Sequence, residues 1–122
     1  MNLTYEITPA GTSSIDLSIL TLAHYFKVDG NLAQHFTCTH AGLQSDKAPY
    51  YTDLTKEVAG GYENGYMRIT IHNSGSLNLR PGDSLKISVM LYQENWVSYT
   101  GFQEQKLEIY RDGTIAYIKE TN

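Results

Sequence analysis

Between Ser84 and Tyr92 the chain alternates without a break. Leu85, Ile87, Val89 and Leu91 take every second place, and Lys86, Ser88, Met90 and Tyr92 fill the places between. Successive side chains of a β-strand point to opposite faces, so this spacing predicts a strand that buries one face and presents the other. The strand leads into a polar turn at Gln93-Glu94-Asn95 and then into Trp96, the single tryptophan, with Ser98, Tyr99 and Thr100 close behind. A tryptophan just past a polar turn either folds back to cap one end of a core or stands on the surface as a contact residue.

The rest of the chain carries the same period more weakly. Leu3 to Thr8 predicts a strand closed by the turn cluster Pro9 to Ser14. Ser18 to Val28 has apolar residues on both faces, which predicts a central strand covered on both sides. Gln34 to His40 predicts a strand with Phe36 and Cys38 on one face and His35, Thr37 and Thr39 on the other. Residues 41–57 read as a polar, irregular and functional loop holding Pro49 and the pair Tyr50-Tyr51. Met67, Ile69 and Ile71 alternate with Arg68, Thr70 and His72, and Arg80-Pro81-Gly82-Asp83 predicts a β-turn. Lys106 to Tyr110 and Thr114 to Lys119, joined through Arg111-Asp112-Gly113, predict a hairpin. Eight or so short strands without a helical repeat predict an all-β chain, an antiparallel β-sandwich of jelly-roll type, with residues 1–122 as one domain.

Composition narrows the function. Nine basic and thirteen acidic residues give a net charge of -4, with no run of Lys or Arg dense enough to track a phosphate backbone, so nucleic acid is not an expected partner. No stretch approaches the roughly 18 consecutive apolar residues of a membrane span, and Met1-Asn2-Leu3-Thr4 does not begin a signal peptide. The expectation is therefore a cytoplasmic protein, or a module whose targeting sequence lies upstream. Cys38 is the only cysteine, which excludes an internal disulfide and predicts a buried small hydrophobe. His24, His35 and His72 fall in separate strands without metal-ligand spacing. No pair of carboxyl groups is marked as facing across a cleft, so a glycosidase is not expected. Ten tyrosines suit a recognition surface.

Four blocks in order carry a resemblance. They are Gly11-Thr-Ser-Ser-Ile-Asp-Leu-Ser18 leading to Tyr25-Phe-Lys-Val-Asp-Gly30, then Phe36-Thr-Cys-Thr-His40-Ala, then Leu79-Arg-Pro-Gly82, then Asn95-Trp96-Val-Ser-Tyr99-Thr100. Over most of its length the chain resembles a family 3 carbohydrate-binding module, the cellulose-binding β-sandwich of cellulosome scaffoldins and cellulases. The resemblance implies a non-catalytic module that binds cellulose or a related plant cell-wall polysaccharide through a flat aromatic and polar face. It implies an extracellular or cell-surface location and linkage to other domains of a longer protein. The alternative is a related sandwich used as an extracellular sensor or protein-interaction module, with weak or no cellulose binding.

Residue by residue, the resemblance assigns Trp96 to the tryptophan of the binding strip, His40 to its histidine, and Tyr50 or Tyr51 to its tyrosine, the other of the two packing. An Asp and an Arg that pair in the strip correspond to Thr39 and Met90, which should then sit together on the exposed face. Losing both charges at once is coherent, because either alone would lack its partner. The resemblance also implies a structural calcium at Lys27, Asp29, Thr100, Gln103 and Glu104. Carboxylates of Asp29 and Glu104 suit that ion, whereas the Lys27 ammonium opposes it and can fill the site by pairing with either. The family's first strand has no counterpart ahead of Met1, and the loops around Gly61 to Tyr66 and after Glu104 look shortened, which predicts an unpaired edge strand.

Overall fold

A computed structural model describes residues 2–9, 14–28, 32–63, 65–72, 77–96, 102–110 and 113–121, the last two segments and residues 19 and 28 by backbone alone. The strands are β1 (Asn2–Pro9), β2 (Ile15–Asp16), β3 (Thr21–Val28), β4 (Gln34–Gln44), β5 (Tyr51–Asp53), β6 (Val58–Glu63), β7 (Tyr66–Ile71), β8 (Asn78–Leu79), β9 (Ser84–Gln93), β10 (Phe102–Tyr110) and β11 (Gly113–Thr121). Single 3-10 turns occupy Leu17–Ile19, Thr55–Glu57 and Glu94–Trp96.

The strands form a five-stranded sheet in the order β11-β1-β9-β4-β5 and a four-stranded sheet in the order β10-β3-β7-β6, with β2 and β8 as a small separate pair. All pairings are antiparallel. The alternation of β9 survives intact: Leu85, Ile87, Val89 and Leu91 are buried. They join Leu3, Tyr5 and Ile7 of β1 and Ala41 and Leu43 of β4 in a core closed from the other side by Leu22, Phe26, Met67, Ile69 and Ile71. Two facing sheets that each bury one side make this a sandwich.

A polar contact crosses the core. Tyr5 Oη lies 2.7 Å from His24 Nδ1, joining β1 to β3, and both residues are fully buried. The His24 ring also meets the Phe26 ring edge to face at 5.0 Å. Buried polar groups without partners are costly, so this pair ties the two sheets in one relative position.

Six expectations change. Ser18 to Val28 is not one long strand: Leu17–Ile19 forms a 3-10 turn in which the Asp16 carboxylate accepts from the Ser18 amide and hydroxyl. β3 is central in its sheet but only partly covered on its outer face, where Ala23 is buried and Lys27 is exposed. The loop expected over residues 41–57 is largely ordered, because β4 runs on to Gln44 and β5 returns alongside it. β10 and β11 are not a hairpin. β10 lies on β3 and β11 lies on β1, so the chain crosses between sheets there. β1 consequently has neighbours on both sides, β9 and β11, and is not an unpaired edge. Cys38 is half-buried rather than buried, with Sγ 3.5 Å from the Ser88 carbonyl oxygen, and burial pushes its thiol up.

The predicted turn at Arg80 to Asp83 is present, with the Asp83 amide donating to the Arg80 carbonyl at 2.8 Å and Gly82 at φ 92. Asp83 is only 2% exposed, and its Oδ2 accepts from the Arg80 amide at 2.9 Å and from Arg80 Nε at 3.2 Å. Arg80 Nη2 reaches on to Ser45 Oγ at 2.7 Å, and the Ser45 amide donates to the Tyr50 carbonyl. The turn before β9 thereby anchors the segment that carries the tyrosine pair. Burial alone would raise the Asp83 carboxyl. The Ser45 hydroxyl and the Arg80 amide and guanidinium outweigh it and hold the group below its ordinary value.

A carboxyl depressed in the folded state stabilises the fold above its unfolded pKa, and that stabilisation is lost as pH falls through the folded value. Asp83→Ala should therefore cost about 1–3 kcal/mol near neutral pH. In urea melts the gap to the parent should narrow below about pH 4. A gap that is constant with pH would show that the carboxylate charge is not what holds the turn.

Candidate functional site

The outer face of the five-stranded sheet is set by the residues left over from the core. β9 offers Lys86, Ser88, Met90 and Tyr92, and β4 sets His35 opposite Tyr92, Thr37 opposite Met90, His40 opposite Ser88 and Gly42 opposite Lys86. Directly opposed residues share a face, so these eight form one surface. β1 extends it with Asn2, Thr4 and Glu6, opposite Met90, Ser88 and Lys86. Thr4 Oγ1 lies 3.1 Å from Ser88 Oγ, and Glu6 sits 4.0 Å from Lys86 Nζ.

Strict alternation would turn His40 inward once Thr39 points out. A bulge between Cys38 and His40 prevents this: Thr39 is the extra residue, its hydroxyl donating to the Ser88 carbonyl at 3.0 Å, and both Thr39 and His40 are exposed. Bulges re-aim side chains in this way. Met90 and Thr39 share the face, Met90 directly opposite Thr37 and Thr39 at the bulge against the Ser88 carbonyl.

Two aromatic pairs lie on this face. At one end Trp96 stacks on Tyr92 with ring centroids 4.1 Å apart and planes within 6°, and Tyr92 stacks in turn on His35 at 5.2 Å. Trp96 does fold back, but over the outer surface and not over the core, and it stays 67% exposed. Its turn has two left-handed residues, Asn95 at φ 60 and Trp96 at φ 57, and is pinned by the Glu94 amide donating to the Ala33 carbonyl at 2.9 Å. Asparagine tolerates that region, whereas a tryptophan there costs about 1–2 kcal/mol. The strain goes with a ring laid flat and open to solvent on one side.

At the other end His40 and Tyr51 are parallel within 10°, with centroids 6.2 Å apart and Tyr51 Oη 2.7 Å from His40 Nε2. Of the two tyrosines it is Tyr51 that meets His40. Tyr50 is 67% exposed, so it is not the packed member expected of the pair. β5 is held in register by the turn that follows it: the Leu54 amide donates to the Ala41 carbonyl at 2.8 Å, and the Ala41 amide donates to Thr55 Oγ1 at 3.0 Å. Asp53 accepts from the Thr55 hydroxyl and amide at 2.6 and 2.9 Å, and these bonds hold its carboxyl below the usual range. The five steps of chain from His35 to His40 set the two aromatic ends roughly 15 Å apart. The surface between them is low, made of Thr37, Thr39, Ser88 and Met90.

Tyr92 and His35 were not singled out from the sequence. Tyr92 precedes Trp96 by four residues, but only the left-handed turn brings the rings together, and His35 joins them only through the β4–β9 register. The residues implied for calcium fall mostly beyond description. Asp29 and Thr100 lie outside the described residues, and Gln103 and Glu104 are described as backbone opposite Lys27 and Phe26. Lys27, the one residue of the set whose side chain is described, is exposed. Among the described residues no group of three His, Cys, Asp or Glu could hold a metal. A groove of about 280 Å³, lined by residues such as Tyr62, Tyr66 and Arg68, lies on the other sheet and shares no residue with the aromatic face.

The sequence pattern described as Cellulose binding domain matches residues 1–114. The chain belongs to the family 3 carbohydrate-binding modules. It is 29% identical over 97% of its length to cellulosomal-scaffolding protein B, and 32% identical over 82% of its length to cellulosomal-scaffolding protein A, both of Acetivibrio thermocellus. It spans only 17% and 6% of those two relatives. The crystal structure of a family IIIa cellulose-binding domain from Clostridium cellulolyticum superposes with a TM-score of 0.71 at 25% identity, covering 96% of this chain and 84% of that one. Biomass sensing modules from RsgI-like proteins of Clostridium thermocellum share the fold at 17% identity and a TM-score of 0.65, covering 99% of this chain and 87% of theirs. As a family 3 module the chain is a non-catalytic carbohydrate binder.

Replacing Tyr92 removes the surface under Trp96. Tyr92→Ala should abolish the near-ultraviolet circular dichroism of the Tyr92–Trp96 pair, at a stability cost of about 0.5–1.5 kcal/mol, the worth of one aromatic pair. An unchanged spectrum would mean that Trp96 does not rest on Tyr92 in solution.

Proposed function

We propose that the outer face of the five-stranded sheet binds cellulose, or a related plant cell-wall polysaccharide, without cutting it. The observation that carries this is the pair of flat aromatic ends, Trp96 on Tyr92 and Tyr51 beside His40, on one surface with a low polar stretch between them. Pyranose rings present apolar C–H faces, and a flat side chain covers one. Covering about 100 Å² contributes roughly 2–3 kcal/mol before ordering costs. His35, His40, Thr37, Thr39 and Ser88 offer hydrogen bonds to sugar hydroxyls between the ring contacts. An extracellular or cell-surface location, as part of a longer protein, goes with this reading and is supported by the scaffolding relatives.

A second reading, a sensing or protein-contact module with weak or no cellulose binding, is favoured by Met90 and Thr39, which put no charge at the centre of the face.

A pull-down separates the two. The parent should sediment with insoluble cellulose and release no soluble sugar, and Trp96→Ala should stay folded, weaken adsorption by roughly 1–3 kcal/mol and cost no more stability than the about 0.5–1.5 kcal/mol of the ring pair it removes. Adsorption by the variant as strong as the parent's would remove Trp96 from the site. A parent that stays in the supernatant would favour the second reading.

A further inference from the structure

Three consecutive residues of β4, Ala41, Gly42 and Leu43, are buried. Period two accounts for Ala41 and Leu43, which lie opposite Ile87 and Leu85 and point into the core. Gly42 lies opposite Lys86 and faces out, on the side where β4 should be open to solvent. What covers it is the ring of Tyr51. A Cβ built on Gly42 would lie 2.5 Å from Tyr51 Oη, 2.6 Å from Cε2 and 2.7 Å from Cζ, and these are its three nearest atoms. Carbon atoms in contact need about 3.5–4.0 Å. Tyr51 pairs with Gln44, so its ring runs diagonally across the vacant side-chain position of Gly42 to reach His40 two residues further along β4.

From this we infer that Gly42 is a positioning residue for the binding face: its missing side chain is the seat in which Tyr51 lies flat beside His40. The inference rests on the reading of this face as the carbohydrate site. Gly42 is not held to glycine by its backbone, since the positive-φ glycines described are Gly65 and Gly82. The requirement is one of space. Any side chain at residue 42 lifts the Tyr51 ring from the sheet, breaks its bond to His40 and turns a flat end of the surface into a ridge. The atoms that must move belong to the far end of one exposed side chain, so the change reaches the site and spares the core.

Gly42→Ala, Tyr51→Ala and the double variant test this by two readouts, proton–proton contacts between the Tyr51 and His40 rings by NMR and adsorption to insoluble cellulose. Gly42→Ala should lose the ring contacts, keep its melting temperature and lose roughly 5- to 100-fold in adsorption, about as much as Tyr51→Ala. The double variant should be no weaker than either single one, because both changes remove the same contact. If Gly42→Ala unfolds, the double variant should restore folding by removing the ring that clashes. Failure to do so would overturn the inference. Ring contacts and adsorption both retained in Gly42→Ala would overturn it as well. A parent that adsorbs to no polysaccharide would sink the carbohydrate reading and Gly42's part in it, while loss of the ring contacts in Gly42→Ala would still establish Gly42 as the seat of Tyr51.

Discussion

Strand β9 is hydrogen-bonded along both edges, to β1 and to β4, and everything else in the molecule is placed relative to it. A strand in that position has no freedom of register. A slip of one residue would carry Leu85, Ile87, Val89 and Leu91 out to solvent and Lys86 and Met90 into the core. The hydrophobic effect that seals one face therefore also fixes, residue by residue, what the other face displays. The aromatic face is the complement of the core, held by the same burial.

This arrangement explains how a small sandwich presents an extended flat surface without a cleft. The outward positions of adjacent strands lie in rows, and three local features shape what those rows display. The bulge at Thr39 turns His40 outward, the left-handed turn at Asn95 and Trp96 folds the indole over Tyr92, and the vacancy at Gly42 admits the Tyr51 ring. Each feature brings an aromatic or imidazole ring parallel to a neighbour. Behind them, Asp83, Arg80 and Ser45 hold the tyrosine segment to the turn before β9, and Tyr5 with His24 holds the two sheets together.

Much of this was legible in the sequence, for a physical reason. Alternation is a local signal, so β9, β1 and β7 could be read from their own residues, and turn residues such as Pro81-Gly82 act within a few positions. What escaped depends on a partner. The bulge exists only relative to β9. The Asp112-Gly113 signal marks a reversal of the chain but not which sheet each arm joins, and long-range pairing of β11 with β1 decided that. Tyr92 and His35 looked like ordinary outward residues until the register set them beside each other and under Trp96. The choice between Tyr50 and Tyr51 was open in the sequence because the seat that decides it, Gly42, lies on another strand.

The central claim is that the aromatic rows of the five-stranded sheet, and not the groove on the opposite sheet, meet the carbohydrate. Titration with a soluble cello-oligosaccharide, followed through the ring resonances of the protein by NMR, tests it most directly. The account predicts shifts concentrated in Trp96, Tyr92, His35, Tyr51 and His40, with Tyr25, Tyr62 and Tyr66 on the other sheet unmoved. Shifts confined to Tyr62 and Tyr66, with the indole of Trp96 unchanged, would contradict it.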